Sequence, residues 1–434
     1  MKAFQFSLQA LLVCIISAKL CNLVLASSSD SNDRPIIGLL TVPTTQQCPN
    51  EPAATGSILG PLNAEYRCYI PAGYAKLIEM TAARVVLLPC NINAKFINAV
   101  QSVNGFLLTG MFTDYQCEDT TIPYSLTPYG EAGKYIIDYV FTQNQAGIHL
   151  PLFSVCKGYN MMTFLKAGVP FWRDLIRSDI QSLDQPAPIE WNPAIDPKDS
   201  LIYRTALLLN ASALLTNGPN LMNRHPYGIL PGNYTANSNL TDVFGPFIST
   251  TVDLRGVRYV SSVQSRFGYP IIGVATHPEK VLFEWNPTLV YPRTKDAIHV
   301  NLLWSLLLSQ AARKNNRSFA SSGNKPLESE LLWYNTTTHR VTDAGDLMGG
   351  EFRQLVFTWP LSTTATNSTT RWLSTTIVYW IVAGIGWGLA ITFAAALWRK
   401  SAIGIESSNS AESALISSYS NVEDRGRSVN ASET

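Results

Sequence analysis

Cys156 closes the apolar run Leu150–Val155 (LPLFSV) and is followed by Lys157, Gly158 and Tyr159 before a helical segment, Asn160–Lys166. That order is the pattern of a nucleophile elbow. A sharp strand-to-helix turn exposes the side chain at the carboxyl edge of a sheet, needs a small residue such as Gly158 for close packing, and aims helix N–H groups at the nucleophilic atom. A core cysteine that merely ends a strand has the same local sequence, so the motif needs a partner. His277 supplies one: it follows the apolar run Pro270–Ala275 (PIIGVA) and precedes Pro278 and Glu279. An imidazole facing a thiol, with a carboxylate to orient it, is the constellation for acyl transfer through a thioester.

These groups must be carried by a sheet. Pro35–Val42, Arg84–Pro89, Gly105–Gly110, Leu150–Val155 and Pro270–Ala275 are short apolar runs that read as strands buried on both faces. Between the first two, Ile70, Tyr74, Leu77, Ile78 and Thr81 recur at helical spacing over 70–83 and predict a β-α-β unit. The fold class expected is α/β with a mainly parallel sheet. Asp296–Asn315 reads as a further helix, with Arg313 and Lys314 placed to favour its dipole. Leu331–Tyr334 and Gln354–Phe357 read as edge strands, and the folded domain is expected to end near Trp359.

The termini predict a secreted topology. Lys2 and an apolar run to Leu25, ending in small residues, predict a signal peptide over 1–26. The catalytic domain then spans 27–360 and a Ser/Thr-rich stalk 361–374. Residues 375–398 carry no charge over a length able to cross about 30 Å of hydrocarbon, and Arg399 and Lys400 follow, which predicts a single-pass type I membrane helix and a disordered cytosolic tail, 399–434. In that tail Tyr419–Val422 (YSNV) fits a pattern read by sorting adaptors. Sequons at Asn210, Asn233, Asn239, Asn316, Asn335 and Asn367 would then be glycosylated. A seventh, Asn430, falls in the tail and stays bare.

Of seven cysteines, Cys14 and Cys21 leave with the signal. Cys48, Cys68, Cys90, Cys117 and Cys156 remain, an odd number that fits up to two disulfides plus one free thiol, with the pairing open. A balance of 32 basic against 31 acidic residues leaves a net charge of +1, which offers no global field for nucleic acid.

The stretches 34–43 (RPIIGLLTVP), 69–89, 97–110 (INAVQSVNGFLLTG), 151–165 (PLFSVCKGYNMMTFL), 269–285 (YPIIGVATHPEKVLFEW) and 312–316 (ARKNN) resemble the gamma-glutamyl hydrolase family, within the glutamine amidotransferase-like superfamily, in order and spacing. The resemblance covers roughly residues 34–335. It implies a flavodoxin-like α/β sandwich with Cys156 as nucleophile, His277 as general base and Glu279 as third member. The substrates implied are poly-γ-glutamyl tails, notably of folate, cleaved in a lysosome, a vacuole or outside the cell through a glutamyl acyl-enzyme. No metal or organic cofactor is needed, and a homodimer is left open.

By the same resemblance the oxyanion donors are the backbone N–H of Lys157 and those of the loop at Gly110 and Met111. The family pattern has a small or apolar residue after the cysteine and a second glycine after the first, so Lys157 and Met111 depart from it. Lys157 is either a solvated lysine or a cation placed beside the thiolate or a substrate carboxylate. His225, in MNRHPYG, matches by position a histidine of the family's variable loop, a substrate contact. Tyr69 and Tyr159 are pocket-lining or packing aromatics. The departures, with the expected membrane span, also admit a catalytically silent ectodomain with a binding role.

Overall fold

Five apolar runs form adjacent parallel strands. They are β1 (Ile36–Leu40), β2 (Arg84–Leu88), β3 (Gly105–Leu108), β4 (Leu152–Val155) and, after three strands given next, β8 (Ile271–Val274). An antiparallel flank follows on one side, from β5 (Glu190–Trp191), β6 (Ser249–Val252) and β7 (Arg258–Gln264). The sheet order is β2-β1-β3-β4-β8-β7-β6-β5. Every residue of β1, β3, β4 and β8 is buried, as strands covered on both faces require. The computed structural model describes residues 32–44, 66–110, 116, 125–284, 291–333, 337–341 and 353–360.

The helices that position the site are α1 (Ala72–Glu79), α2 (Ala94–Ser102), α3 (Pro128–Gln145), α4 (Lys157–Ala167), α5 (Pro278–Phe283) and α6 (Lys295–Ala312). Helix α1 packs against α5 and α6, whereas α3 packs against α4. Their ends follow local chemistry. Asn93, Thr127 and Thr294 accept hydrogen bonds from Phe96, Gly130 and Ala297 N–H groups, and Gly168 ends α4 at φ 67°. The ARKNN segment serves the fold: Asn104 Oδ1 accepts from Ile36 N at 2.8 Å while its amide donates to Asn315 O at 2.8 Å.

Several expectations are corrected. The helix expected over 70–83 is only Ala72–Glu79, because Tyr66–Pro71 is a strand paired with both Val42–Pro43 and Arg353–Pro360. Of the run expected as a strand over 331–334, Leu331 ends a helix, Lys325–Leu331, Leu332 makes an isolated bridge to Val86, and Tyr334 lies outside the described residues. Arg353–Pro360 does form a strand, yet not at an edge: it lies between Thr337–Val341 and Tyr66–Pro71 in a separate four-stranded sheet. The described structure does not carry the membrane helix included in the expected architecture: among the described residues no helix is long and apolar enough to cross a membrane. Residues 375–398 themselves, with the signal segment, stalk and tail, lie outside the described residues.

Cys68 and Cys90 form a disulfide that joins the strand before α1 to the end of β2, and Cys156 is a free thiol. Cys48 and Cys117 lie outside the described residues. Four sequon asparagines, Asn210, Asn233, Asn239 and Asn316, are exposed, while Asn335 and Asn367 fall outside.

Candidate active site

Cys156 occupies the sharp turn between β4 and α4 with φ 48° and ψ −109°. A side chain other than glycine is strained there by about 1–3 kcal/mol, so the surroundings must enforce it. Two backbone bonds do: Cys156 N donates to Val274 O at 2.8 Å, and Gly158 N donates to Thr109 O at 3.0 Å. Gly158 has no room for a larger residue, because a Cβ there would stand 2.6 Å from the Leu108 carbonyl oxygen. The strand ends of β3, β4 and β8 thereby hold the thiol at the carboxyl edge of the sheet.

His277 is the N-cap of α5, one strand over, and its N–H donates to Met222 O at 2.7 Å. Its Nδ1 lies 2.7 Å from Glu279 Oε1, and the Glu279 side chain is wholly buried. That bond leaves Nε2 for the reacting side. Burial lowers the imidazole pKa, but the Glu279 carboxylate and then Cys156 outweigh it, and the net result is a rise from 6.5 to about 9. The site is built to hold an imidazolium at neutral pH.

Gly110, just past β3, completes the floor. A Cβ built on it would lie 2.6 Å from Cys156 Cβ and 2.8 Å from His277 Cε1, so cysteine and histidine converge on one point that only glycine leaves open. Gly110 N donates to Tyr74 Oη at 3.0 Å, Tyr74 Oη donates to Gly110 O at 3.1 Å, and the same hydroxyl is 3.5 Å from His277 Nδ1. Burial first, and the nearby Glu279 next, push the Tyr74 pKa well up, so the phenol keeps its proton. The Gly110 N–H expected as an oxyanion donor is thus already committed to Tyr74. Met111 lies outside the described residues.

A cavity of about 130 Å³ opens over this group, and Lys157 and His225 line it with Cys156, His277 and Glu279. His225 is buried, packs edge-to-face on Tyr259 at 5.2 Å, and is held neutral, its pKa lowered to about 3 by burial and then by His277. Tyr69 and Tyr159 do not line the cavity. Tyr159 lies under the sheet, where its hydroxyl donates to Val260 O at 3.2 Å and its ring fills the space above Gly273; Tyr69 is fully buried in the small sheet opposite Val42. The cavity tyrosines are instead Tyr74 and Tyr227, joined by Arg224, which pairs with Asp184 at 2.5 Å. In the sequence Tyr74 reads only as one apolar position of a helix, whereas Arg224 and Tyr227 flank His225 closely enough to have been considered with it.

A family model described as Peptidase C26 matches residues 58–179, which include Cys156. Over 297 residues the chain is 30% identical to the gamma-glutamyl hydrolase of Glycine max, an alignment covering 68% of this chain and 78% of that one. The chain belongs to the gamma-glutamyl hydrolase family. It is 28% identical to gamma-glutamyl hydrolase 1 of Arabidopsis thaliana over 76% of this chain and 85% of that one. Against the human gamma-glutamyl hydrolase the identity is 24%, over 72% and 90%. Among solved structures, the glutaminase domain of Trypanosoma brucei CTPS with bound acivicin matches at a TM-score of 0.38 and 13% identity, over 65% of this chain and 95% of that one. Membership places this chain among the cysteine-type gamma-glutamyl hydrolases, and its elbow lies inside the segment matched as Peptidase C26.

Proposed function

We propose that this chain hydrolyses the γ-glutamyl bonds of poly-γ-glutamyl small molecules, folate polyglutamates among them, through a glutamyl acyl-enzyme on Cys156. The observation that carries this reading is the convergence of Cys156 and His277 beside Gly110, with Glu279 2.7 Å behind the imidazole, in a chain of the gamma-glutamyl hydrolase family.

In this mechanism the Cys156 thiolate attacks the γ-amide carbonyl while His277 carries the proton. The raised imidazolium pKa suits that ground state. Collapse of the tetrahedral intermediate moves the His277 proton to the leaving amine nitrogen and leaves the γ-glutamyl group as a thioester. Neutral His277 then takes a proton from water, whose oxygen attacks the thioester and frees the thiol. Glu279 holds Nδ1, so that Nε2 faces the thiol throughout. The oxyanion is assigned to the backbone N–H of Lys157 at the start of α4, where a helix presents its unbonded donors. Neutral His225 is assigned a hydrogen bond to substrate, and Tyr74 positions the Gly110 loop.

The compartment proposed is lumenal or extracellular. A disulfide between Cys68 and Cys90 and four exposed sequons support an oxidising, glycosylating route.

The test is glutamate release from a poly-γ-glutamyl folate between about pH 4.5 and 7.5, a range that brackets the ordinary imidazole pKa of about 6.5, by the wild-type chain beside Cys156→Ala. Turnover that disappears in the variant supports the reading. No turnover from a folded, glycosylated wild-type preparation overturns it in favour of a silent binding domain.

A further inference from the structure

Lys280 and Glu284, from the stretch 269–285, line the cavity and take no part in the mechanism. Lys280 lies on α5 and Glu284 is its C-cap, four residues on, so the two side chains share one face. Lys280 Nζ donates to Glu284 Oε2 at 2.8 Å, and the side chains are 5% and 6% exposed, as buried as the His277 imidazole. Lys280 Nζ also stands 4.0 Å from Glu279 Oε1, the oxygen that meets His277 Nδ1 at 2.7 Å. The buried charges therefore alternate, from imidazolium to carboxylate to ammonium to carboxylate.

Stability does not account for the pair. Two ions taken out of water recover little more than their desolvation, and an apolar pair of similar size serves a fold as well. What an apolar pair cannot supply is a cation beside Glu279. The methylenes of Glu279 face α1, where a Cβ built on Gly73 would lie 3.5 Å from Glu279 Cβ. Its carboxylate is held by charge: because Oε1 faces both His277 and Lys280, turning it away from the imidazole loses two attractions at once. The helix that carries these groups is itself tied down, since Arg293, ahead of α6, donates to Val281 O.

We propose that Lys280, held by Glu284, is a positioning residue for the reaction: its ammonium keeps Glu279 Oε1 on His277 Nδ1 through both chemical steps. The proposal rests on the reading of the site as a γ-glutamyl hydrolase. Lys280 is assigned no contact with the substrate, and its effect passes through Glu279. When His277 gives its proton to the leaving amine, Glu279 loses the positive charge that faced it. Lys280 then holds the carboxylate until a proton from water restores the imidazolium.

The experiment measures kcat and KM of the full chain for glutamate release from a poly-γ-glutamyl folate, beside thermal melts. Lys280→Met combined with Glu284→Gln removes both charges together and leaves neither ion of the pair behind, so its melt is expected to stay close to that of the wild type. Its kcat is expected to fall about 10–100-fold, with KM changed by less than about threefold, as for a displaced catalytic group. Lys280→Arg keeps the cation and is expected to retain kcat to within about threefold. In a Glu279→Gln background the neutral pair is expected to lower kcat by less than about threefold more, because the group it acts through has gone.

A neutral pair that turns over at the wild-type rate would overturn the proposal while leaving the hydrolase reading intact. So would a folded Lys280→Arg enzyme slowed as far as the neutral pair, or a loss that persists undiminished in the Glu279→Gln background. A neutral pair that no longer folds would make the two charges a stability element and overturn the proposal as well. A wild type that releases no glutamate would overturn the hydrolase reading and this inference with it.

Discussion

Glu279 Oε1 stands 2.7 Å from His277 Nδ1, and both side chains are at most 5% exposed. In that setting the carboxylate fixes the imidazole's tautomer and stabilises its proton, two roles that the isosteric amide separates. Glu279→Gln is expected to lower kcat/KM by about 10²–10⁴-fold. Because Glu279 is the largest influence raising the His277 pKa, the alkaline limb of the pH–rate profile should also move to lower pH. A profile that keeps its alkaline limb in the variant would detach Glu279 from the imidazole's titration.

Stability should depend on pH through the same imidazole. Its pKa is about 9 folded against 6.5 unfolded, so the native state binds the proton more tightly. The contribution, roughly 3 kcal/mol for a shift of this size, is fully present below about pH 6.5 and is lost as pH rises through about 9. The thermal stability of the wild type should accordingly fall between about pH 6.5 and 9, the window those two pKa values define. His277→Gln should flatten that part of the curve.

Tyr74 holds both the N–H and the C=O of Gly110 through one hydroxyl. Tyr74→Phe removes only that oxygen. The expected result is a fall in kcat of about 10–100-fold, with a smaller change in KM, because the loop beside the cysteine is freed to shift while the helix packing survives. Steady-state kinetics beside a thermal melt would read this; an unchanged kcat would mean that the Gly110 loop is held without the tyrosine.

The Cys68–Cys90 bridge closes a loop with a sequence separation of 22 and ties the strand preceding α1 to the sheet. Replacing both cysteines with serine is expected to lower unfolding stability by about 3 kcal/mol. Denaturant unfolding of the double variant gives the value. The loss should appear in activity as well, since Tyr74 is carried on the helix that this strand leads into.

Much of the scaffold is legible in the residues alone. The five buried parallel strands are short apolar runs bounded by turns, and a strand covered on both faces has few other ways to read. Cys156 and His277 each close such a run, and the structure brings both to one edge of the sheet. What the sequence conceals is lateral. Tyr66–Pro71 is a strand because Val42–Pro43 and Arg353–Pro360, the latter far along the chain, pair with it, and its apolar positions merge with the period of the helix that follows. Tyr159 looks like a pocket residue by proximity to Cys156, but the first turn of α4 rotates it beneath the sheet. Tyr74 enters the cavity through contacts with Gly110, which no spacing rule connects to it.

The backbone bond from Cys156 N to Val274 O, and the parallel register that pairs Val155 with Val274, mean that nucleophile and base are spaced by the sheet itself. The chain between those strands leaves the sheet for more than one excursion and returns with His225, Arg224 and Tyr227 on the cavity wall. Reaction geometry and substrate selection are therefore physically separable in this molecule. The wall side chains can be exchanged for those of a relative and the two reacting groups will still arrive at the same separation, because neighbouring strands, with the Met222 carbonyl that holds the His277 N–H, decide where they stand.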